Sequence, residues 1–219
     1  MTPAPPEIYE GQFGTFSITD DDRREVVVYR GGLAIAALCF ALGTGLALSA
    51  GHATWGLWGV SGLYGLFWLA LGVSLFNIHI YMRTLHRALQ VFWAIGGAVS
   101  LGVVWLNPQP LALTVYQQPL TILGIGFTFA ALTGIFFKEA FCFNRFETKF
   151  LTPIVPLLLL GHLTAILPVA VEQGLLLAWA VLFVIFALRK VTQAIPPDIG
   201  DKSVFDYLAQ QRTGSLENP

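Results

Sequence analysis

The chain has 219 residues, of which 55% are hydrophobic and only 11% are charged, and its formal net charge is −1. Its mean hydropathy is +0.68, whereas ordinary soluble domains carry about 25% charged residues. This composition excludes an ordinary soluble domain and indicates an integral membrane protein, for which membrane lipid is an expected partner and nucleic acid is not.

The N-terminal segment, residues 1–29, is polar and precedes the first long apolar stretch. Asp22 followed by Glu25 resembles a capping box, in which two side chains satisfy free backbone N–H groups at a helix start. We therefore expect helix one to begin near Asp22 and to project from the membrane into the cytoplasm.

Apolar windows of the length that crosses a bilayer follow this segment. A transmembrane helix needs roughly 20 predominantly apolar residues. Windows free of Lys, Arg, Asp and Glu run from Gly31 to Ala50, Trp55 to Phe76, Ala88 to Leu106, Gln118 to Phe137, Leu151 to Ala170 and Gln173 to Leu188. They predict an all-α polytopic membrane protein with six transmembrane helices in three hairpins, its membrane domain spanning residues 30–190.

The positive charges predict the orientation of these helices. Short cytoplasmic loops retain Lys and Arg. All twelve Lys and Arg residues lie before window one, between windows two and three, between windows four and five, or after window six. They are Arg23, Arg24, Arg30, Arg83, Arg87, Lys138, Arg145, Lys149, Arg189, Lys190, Lys202 and Arg212. We therefore expect both termini in the cytoplasm.

Two basic loops face the cytoplasm in this topology. When residues 78–90 are aligned with 140–152, Arg83 matches Arg145 and Arg87 matches Lys149. Residues four apart lie on one helical face. We predict that this basic stripe, defined as Arg83, Arg87, Arg145 and Lys149, binds a partner. An orientation signal and a surface that faces lipid phosphates remain alternatives, and so does a duplication of the hairpins.

The second basic loop, KEAFCFNRFETKF (138–150), also carries four phenylalanines suited to the headgroup boundary: Phe141, Phe143, Phe146 and Phe150. Its Cys142 lies beside cations that favour a thiolate. A metal shared by Cys142 or Glu139 with His79 and His86 is disfavoured because Arg83 and Arg87 are adjacent.

His162, in LLLLGHLTAILP, is the histidine that we expect deepest within a span. A buried imidazole must be hydrogen-bonded or must ligate something. In one interpretation it bonds to a carbonyl or hydroxyl of a neighbouring helix. In the other, its Nε2 binds the magnesium of a chlorophyll, with Gly161 leaving room for the macrocycle.

The C-terminal tail, residues 191–219, contains two helix signals. Pro196 and Pro197 are expected to stop helix six. Ser203 with Asp206 resembles a capping box for a short interfacial helix that carries Val204, Phe205 and Leu208 on one side.

The windows contain no acidic or basic side chain, whereas ion-coupled transporters place such groups near mid-membrane. The sequence therefore disfavours ion-coupled transport, and it contains no clustered catalytic residues that would predict an enzyme. Small residues in GTGLALSAG and WGLWGVSGLYG can line a solute path, although close helix packing explains them more simply.

Two stretches, YEGQFGTFSITDDDRREVVVYR and FFKEAFCFNRFETK, resemble a family of uncharacterised integral membrane proteins of cyanobacteria and plastids. The resemblance implies a cyanobacterial thylakoid or plasma membrane and transfers no catalytic residue. On this basis we expect a non-enzymatic protein that docks a photosystem or its assembly intermediate. The alternative is a small-solute permease.

Overall fold

The computed structural model describes residues 7–214 and is about 80% helical. Two short strands come first, β1 (Ile8–Gly11) and β2 (Gly14–Ser17). The helices are α1 (Asp20–Ala50), α2 (Thr54–Asn77), α3 (Arg83–Leu106), α4 (Leu111–Gln117), α5 (Ile122–Phe143), α6 (Phe146–Leu163), α7 (Val169–Val191), α8 (Pro196–Ile199) and α9 (Ser203–Gly214), and a 3-10 turn at Pro119–Thr121 precedes α5. A helical membrane protein is confirmed.

The strands are an exception to the all-α prediction. They form an antiparallel hairpin in which Ile8 pairs with Ser17 and Gly11 pairs with Gly14. Gly14 has a φ of 139°, a conformation that is strained for residues with a side chain. The hairpin escaped prediction because a two-stranded hairpin is marginal alone and depends on neighbouring elements.

Helix α1 begins earlier than predicted, and its capping box uses different residues. Thr19 is the N-cap and accepts a hydrogen bond from the Asp22 amide, while the Asp22 carboxylate accepts one from the Thr19 amide. Asp22 therefore closes the box instead of opening it, and the predicted pairing with Glu25 is wrong. At 31 residues, α1 is roughly 46 Å long, longer than the ~30 Å hydrocarbon core.

Five segments of the described chain are long and apolar enough to cross a membrane: α1, α2, α3, Pro119–Phe143 and α7. The sequence predicted a sixth over Leu151–Ala170. There the structure has α6, a continuous 18-residue helix that contains Pro153 and Pro156. It runs antiparallel to α7, since Glu147 meets Arg189 at one end and His162 meets Glu172 at the other.

The long helices form a ring in which each packs against its neighbours in the order α1, α2, α3, α5, α6, α7 and back to α1. Aromatic rings from four helices fill the interior: Phe40, Phe67, Phe129, Phe136, Trp179, Phe183 and Phe186. Trp179 is central, with its ring 4.4 Å from that of Phe40 and 5.3 Å from that of Phe129. The middle of the bundle is therefore a packed core.

The two ends of the chain pack together into one unit, which we call the cap (the hairpin, α8 and α9). The Gln12 amide donates to Asp201 Oδ2 at 2.6 Å and the Phe13 amide donates to Ser203 Oγ at 3.1 Å. The Phe13 and Tyr207 rings stack with centroids 4.0 Å apart. The cap covers the end of the bundle where α1 begins and α7 ends.

The predicted C-terminal helix is present as α9, but its first turn is held differently. The hydroxyl and amide of Ser203 donate to Asp201 Oδ1 at 2.6 and 2.9 Å, so Asp201 caps it. The Asp206 side chain lies outside the described part of the structure. Phe205 packs against Tyr81, with ring centroids 5.3 Å apart, which turns this side of α9 towards protein.

Candidate functional site

Four ionisable side chains are buried together where the cap meets the bundle: Arg30 of α1, Glu139 of α5, Lys190 of α7 and Asp198 of α8. Their exposed fractions are 7%, 0%, 0% and 4%. We call them the ion cluster. Burying a charge costs several kcal/mol unless it is paired and hydrogen-bonded, so their contacts decide what the arrangement can do.

Asp198 joins the two cations of the ion cluster. Its Oδ2 accepts from Arg30 Nε at 2.8 Å and lies 2.7 Å from Arg30 Nη2, while its Oδ1 accepts from Lys190 Nζ. Arg30 also donates to the carbonyls of Gln193 and Ala194 at 2.6 and 2.8 Å. These carbonyls follow α7, so Arg30 links the start of the first helix to the end of the last long one.

Glu139 is the second carboxylate of the ion cluster. Its Oε2 accepts from Lys190 Nζ at 2.6 Å. Its Oε1 accepts from Lys138 Nζ at 3.0 Å and from the Tyr29 hydroxyl at 3.3 Å. Lys190 Nζ also lies 4.3 Å from the centroid of the Phe143 ring, a distance that gives a cation–π attraction. Glu139 is thus paired on both oxygens.

Glu147, 2% exposed, forms a smaller ion group beside the cluster. Its Oε2 accepts from Arg189 Nη1 at 2.8 Å, and its Oε1 lies 3.6 Å from Arg145 Nη1. Arg145 Nη2 donates to the Gln193 side chain, whose Nε2 donates to Asp198 Oδ1 at 3.3 Å. The two acids of KEAFCFNRFETKF are therefore internal counter-ions.

This arrangement fastens the chain ends to the bundle. Asp198, on a four-residue helix, is held by residues of α1 and α7, so the cap has one preferred position. Buried ion pairs add little net stability compared with apolar packing, but removing one partner is strongly destabilising. The ion cluster is therefore best described as an electrostatic lock.

The basic stripe is divided by the structure. Arg83, Arg87 and Lys149 are exposed. The Arg145 side chain is only 10% exposed and is engaged by Gln193 and Glu147. Three of the four predicted partner-binding cations are therefore available on the surface, and partner binding itself stays a prediction.

The histidines of the first basic loop have protein partners. His86 Nε2 lies 2.6 Å from the Leu75 carbonyl, and His79 Nε2 lies 3.3 Å from Glu25 Oε2. Burial lowers the pKa of His79, although Glu25 and Asp22 oppose this shift. Within residues 7–214 there is no group of three or more His, Cys, Asp or Glu that can hold a metal.

His162 lies in the last turn of α6, at the end of the bundle opposite the cap, and not deep within a span as expected. Its Nδ1 is 2.9 Å from Glu172 Oε1, and its ring centroid is 5.3 Å from that of Tyr116. Its Nε2 is buried without a hydrogen-bond partner among the described residues. The neighbouring-helix partner is thus a carboxylate, and neither a carbonyl nor a hydroxyl.

The chlorophyll interpretation of His162 stays a prediction. The geometry leaves Nε2 as the nitrogen that can ligate magnesium, since Nδ1 faces Glu172. A Cβ at Gly161, however, would lie 2.2 Å from Leu167 Cδ1. The space expected for a macrocycle beside Gly161 is therefore occupied by the Leu167 side chain, which would have to move.

The five long apolar helical segments define the class of this protein as a polytopic helical membrane protein. The chain belongs to the family described as uncharacterized integral membrane protein (DUF2301), whose model matches residues 73–207, more than half of the chain. No curated protein and no solved structure matches it. The matched region contains Glu139, Lys190 and Asp198, whereas Arg30 precedes it.

Proposed function

We propose that this is a non-enzymatic membrane protein that docks a partner at its capped end. The observation that carries the proposal is the lock between cap and bundle: Asp198 ties the C-terminal tail to Arg30 and Lys190. A surface that is already ordered binds with a smaller loss of conformational entropy than a flexible tail.

The exposed chemistry of this end supports the same proposal. Arg83, Arg87 and Lys149 are exposed, and so are Phe141 and Phe146, at 83% and 68%. Cations beside large aromatic side chains suit an acidic protein surface at the membrane boundary. With the resemblance to proteins of cyanobacteria and plastids, we propose a photosystem or its assembly intermediate as the partner, in a thylakoid or plasma membrane.

The permease alternative has less support. The interior between α1, α2, α5 and α7 is filled by aromatic rings. A cavity of about 140 Å³ between α1 and α2 is lined by Cys39, Phe40, Gly43, Thr44, Ala47, Val60, Leu63, Tyr64, Phe67, Phe129 and Leu176. Its lining carries no Asp, Glu, Lys, Arg or His, and such groups mark many substrate pathways.

Charge reversal of the exposed cations tests docking. The variant R83E/R87E/K149E is expected to lose its partner in affinity purification from mild detergent, because like charges would then face an acidic surface. Arg145 is left unchanged, since its reversal would put a carboxylate beside Glu147. The matched control R83K/R87K keeps the charge and should keep the partner. Retention of every co-purifying protein by a triple variant with unchanged thermal stability would contradict docking.

We further propose that α6 is the sixth span and that both termini are cytoplasmic. Its antiparallel packing on α7 and the positive charge of the capped end support this topology. In a Cys142→Ser background, Thr54→Cys and Asn107→Cys should react with an impermeant thiol reagent from the non-cytoplasmic side. The natural Cys142, which is exposed, should react from the cytoplasmic side. The opposite pattern would invert the topology. In the same background Thr164→Cys, at an exposed position directly after α6, should also react from the non-cytoplasmic side, and its labelling from the side of Cys142 would show that α6 does not cross the membrane.

A further inference from the structure

Two stacked indoles hold α2 and α3 apart. The rings of Trp68 and Trp93 are nearly parallel, with an interplanar angle of 6° and centroids 4.4 Å apart. Trp68 Nε1 donates to the Trp93 carbonyl at 3.0 Å, and Trp93 Nε1 donates to the Trp68 carbonyl at 2.8 Å. Each ring lies over a glycine of the facing helix, because a Cβ at Gly97 or Gly72 would come within 2.3 or 2.5 Å of it.

A cleft of about 300 Å³ opens between the two helices, on the side of this tryptophan pair that is away from the cap. Its lining contains no Asp, Glu, Lys, Arg or His and includes Trp58, Gly62, Tyr64, Gly65, Trp68 and Ser100. Nothing lies within 4 Å of a Cβ placed at Gly62 or Gly65. These two glycines therefore leave open space on the α2 side of the cleft.

The mouth of the cleft faces the hydrocarbon region of the membrane. Trp58, Leu101 and Val104 line it and are 52%, 67% and 49% exposed. Both α2 and α3 are among the segments suited to crossing a bilayer. From Trp58 to Trp68 the cleft extends roughly 15 Å along α2, about half of a 30 Å hydrocarbon core. It therefore matches the depth of one leaflet.

The hydroxyl groups of the cleft are already paired within the protein. The Tyr64 hydroxyl is 2.8 Å from Ser100 Oγ and 3.1 Å from Thr128 Oγ1. Ser61 Oγ donates to the Leu57 carbonyl at 2.8 Å and accepts from the Ala112 amide at 3.0 Å. These bonds favour an occupant without polar groups of its own at this depth.

We propose that the α2–α3 cleft binds one acyl chain of a membrane lipid from the leaflet opposite the cap. Bulk lipid is as apolar as the lining, so the binding energy comes from van der Waals contact. A chain in the cleft touches protein on both walls and at the two glycines, and such contacts are individually weak but add up. The tryptophan pair sets the width of the cleft and closes its inner end.

Lipid retention tests the proposal. The protein is purified in a mild detergent, and the phospholipids and glycolipids bound per chain are counted by native mass spectrometry. We expect about one firmly retained lipid, which is lost when Gly62→Leu and Gly65→Leu fill the open space. Gly45→Leu is the matched control, because Gly45 is also exposed with nothing within 4 Å of a Cβ but lies on α1. Thermal melting of each variant reports whether it is folded.

The outcomes separate the possible occupants. Loss of one lipid in the folded Gly62→Leu/Gly65→Leu variant, with retention in Gly45→Leu, supports the proposal. Equal retention of the lipid by all three proteins overturns the proposal. Loss of the lipid from the Gly62→Leu/Gly65→Leu variant only when that variant unfolds also overturns it. Retention of an isoprenoid quinone or carotenoid in place of an acyl lipid also overturns it, since the committed occupant is an acyl chain.

Discussion

Replacing Asp198 with asparagine is expected to lower the free energy of unfolding by about 3–5 kcal/mol, the usual cost of removing one partner from a buried ion pair. Asparagine keeps the shape of the side chain but removes the charge shared by Arg30 and Lys190. Lys190 would then rely on Glu139 alone, and Arg30 would keep only the carbonyls of Gln193 and Ala194. Reversible unfolding in mixed micelles, followed by tryptophan fluorescence, measures the change.

Three further variants show whether charge is the cause: Asp21→Asn, Lys190→Met alone, and Lys190→Met combined with Asp198→Asn. Asp21→Asn, at an exposed site in the first turn of α1, should cost less than about 1 kcal/mol. Adding Lys190→Met to Asp198→Asn removes one uncompensated cation and should recover part of the loss, because the two sites share an interaction. A double variant whose loss equals the sum of the two single losses would refute the electrostatic lock.

Replacing Gly96 with alanine is expected to cost about 1–3 kcal/mol, the usual range for overpacking. A Cβ at Gly96 would lie 2.1 Å from Thr128 Oγ1 and 2.5 Å from the Thr128 amide nitrogen. The second atom belongs to the backbone of α5 and cannot rotate away, so α3 and α5 must separate. The same unfolding assay measures this loss.

Gly102→Ala is the control for this substitution. Gly102 lies on the same helix, and nothing lies within 4 Å of a Cβ placed there. Since alanine favours a helix over glycine by roughly 1 kcal/mol, this variant should be as stable as the natural protein or more stable. A loss in Gly102→Ala as large as that in Gly96→Ala, or no loss in Gly96→Ala, would show that the α3–α5 contact does not decide the effect.

The long helices could be predicted from the sequence because span length and charge are local properties. Every predicted window overlaps a long helix. Most boundary errors lie beside a charged residue, because the windows exclude Lys, Arg, Asp and Glu whereas the helices continue through them. The window ending at Ala170 errs for another reason, since α6 ends at Leu163 and Pro168 precedes α7. Sequence alone could not decide how far this short helix extends, because packing on α7 stabilises it.

The ion cluster could not be predicted because its contacts join distant parts of the chain. Arg30 and Asp198 are 168 residues apart, and the sequence explains Arg30 as an orientation charge that needs no acidic partner. A signal was nevertheless present: Glu139 and Glu147 are acids inside a basic loop, where positive charge alone would serve orientation. Glu172, between windows five and six, likewise signalled the partner of His162.

The position of Asp198 has a consequence for biosynthesis. The ribosome makes Arg30 early and Lys190 late, and both precede Asp198 in the chain. Until α8 has emerged, Lys190 has Glu139 as an acidic partner, whereas Arg30 has no carboxylate of the ion cluster beside it. Assembly therefore finishes with the last segment, and a chain that stops before residue 198 would leave the Arg30 guanidinium without its counter-ion.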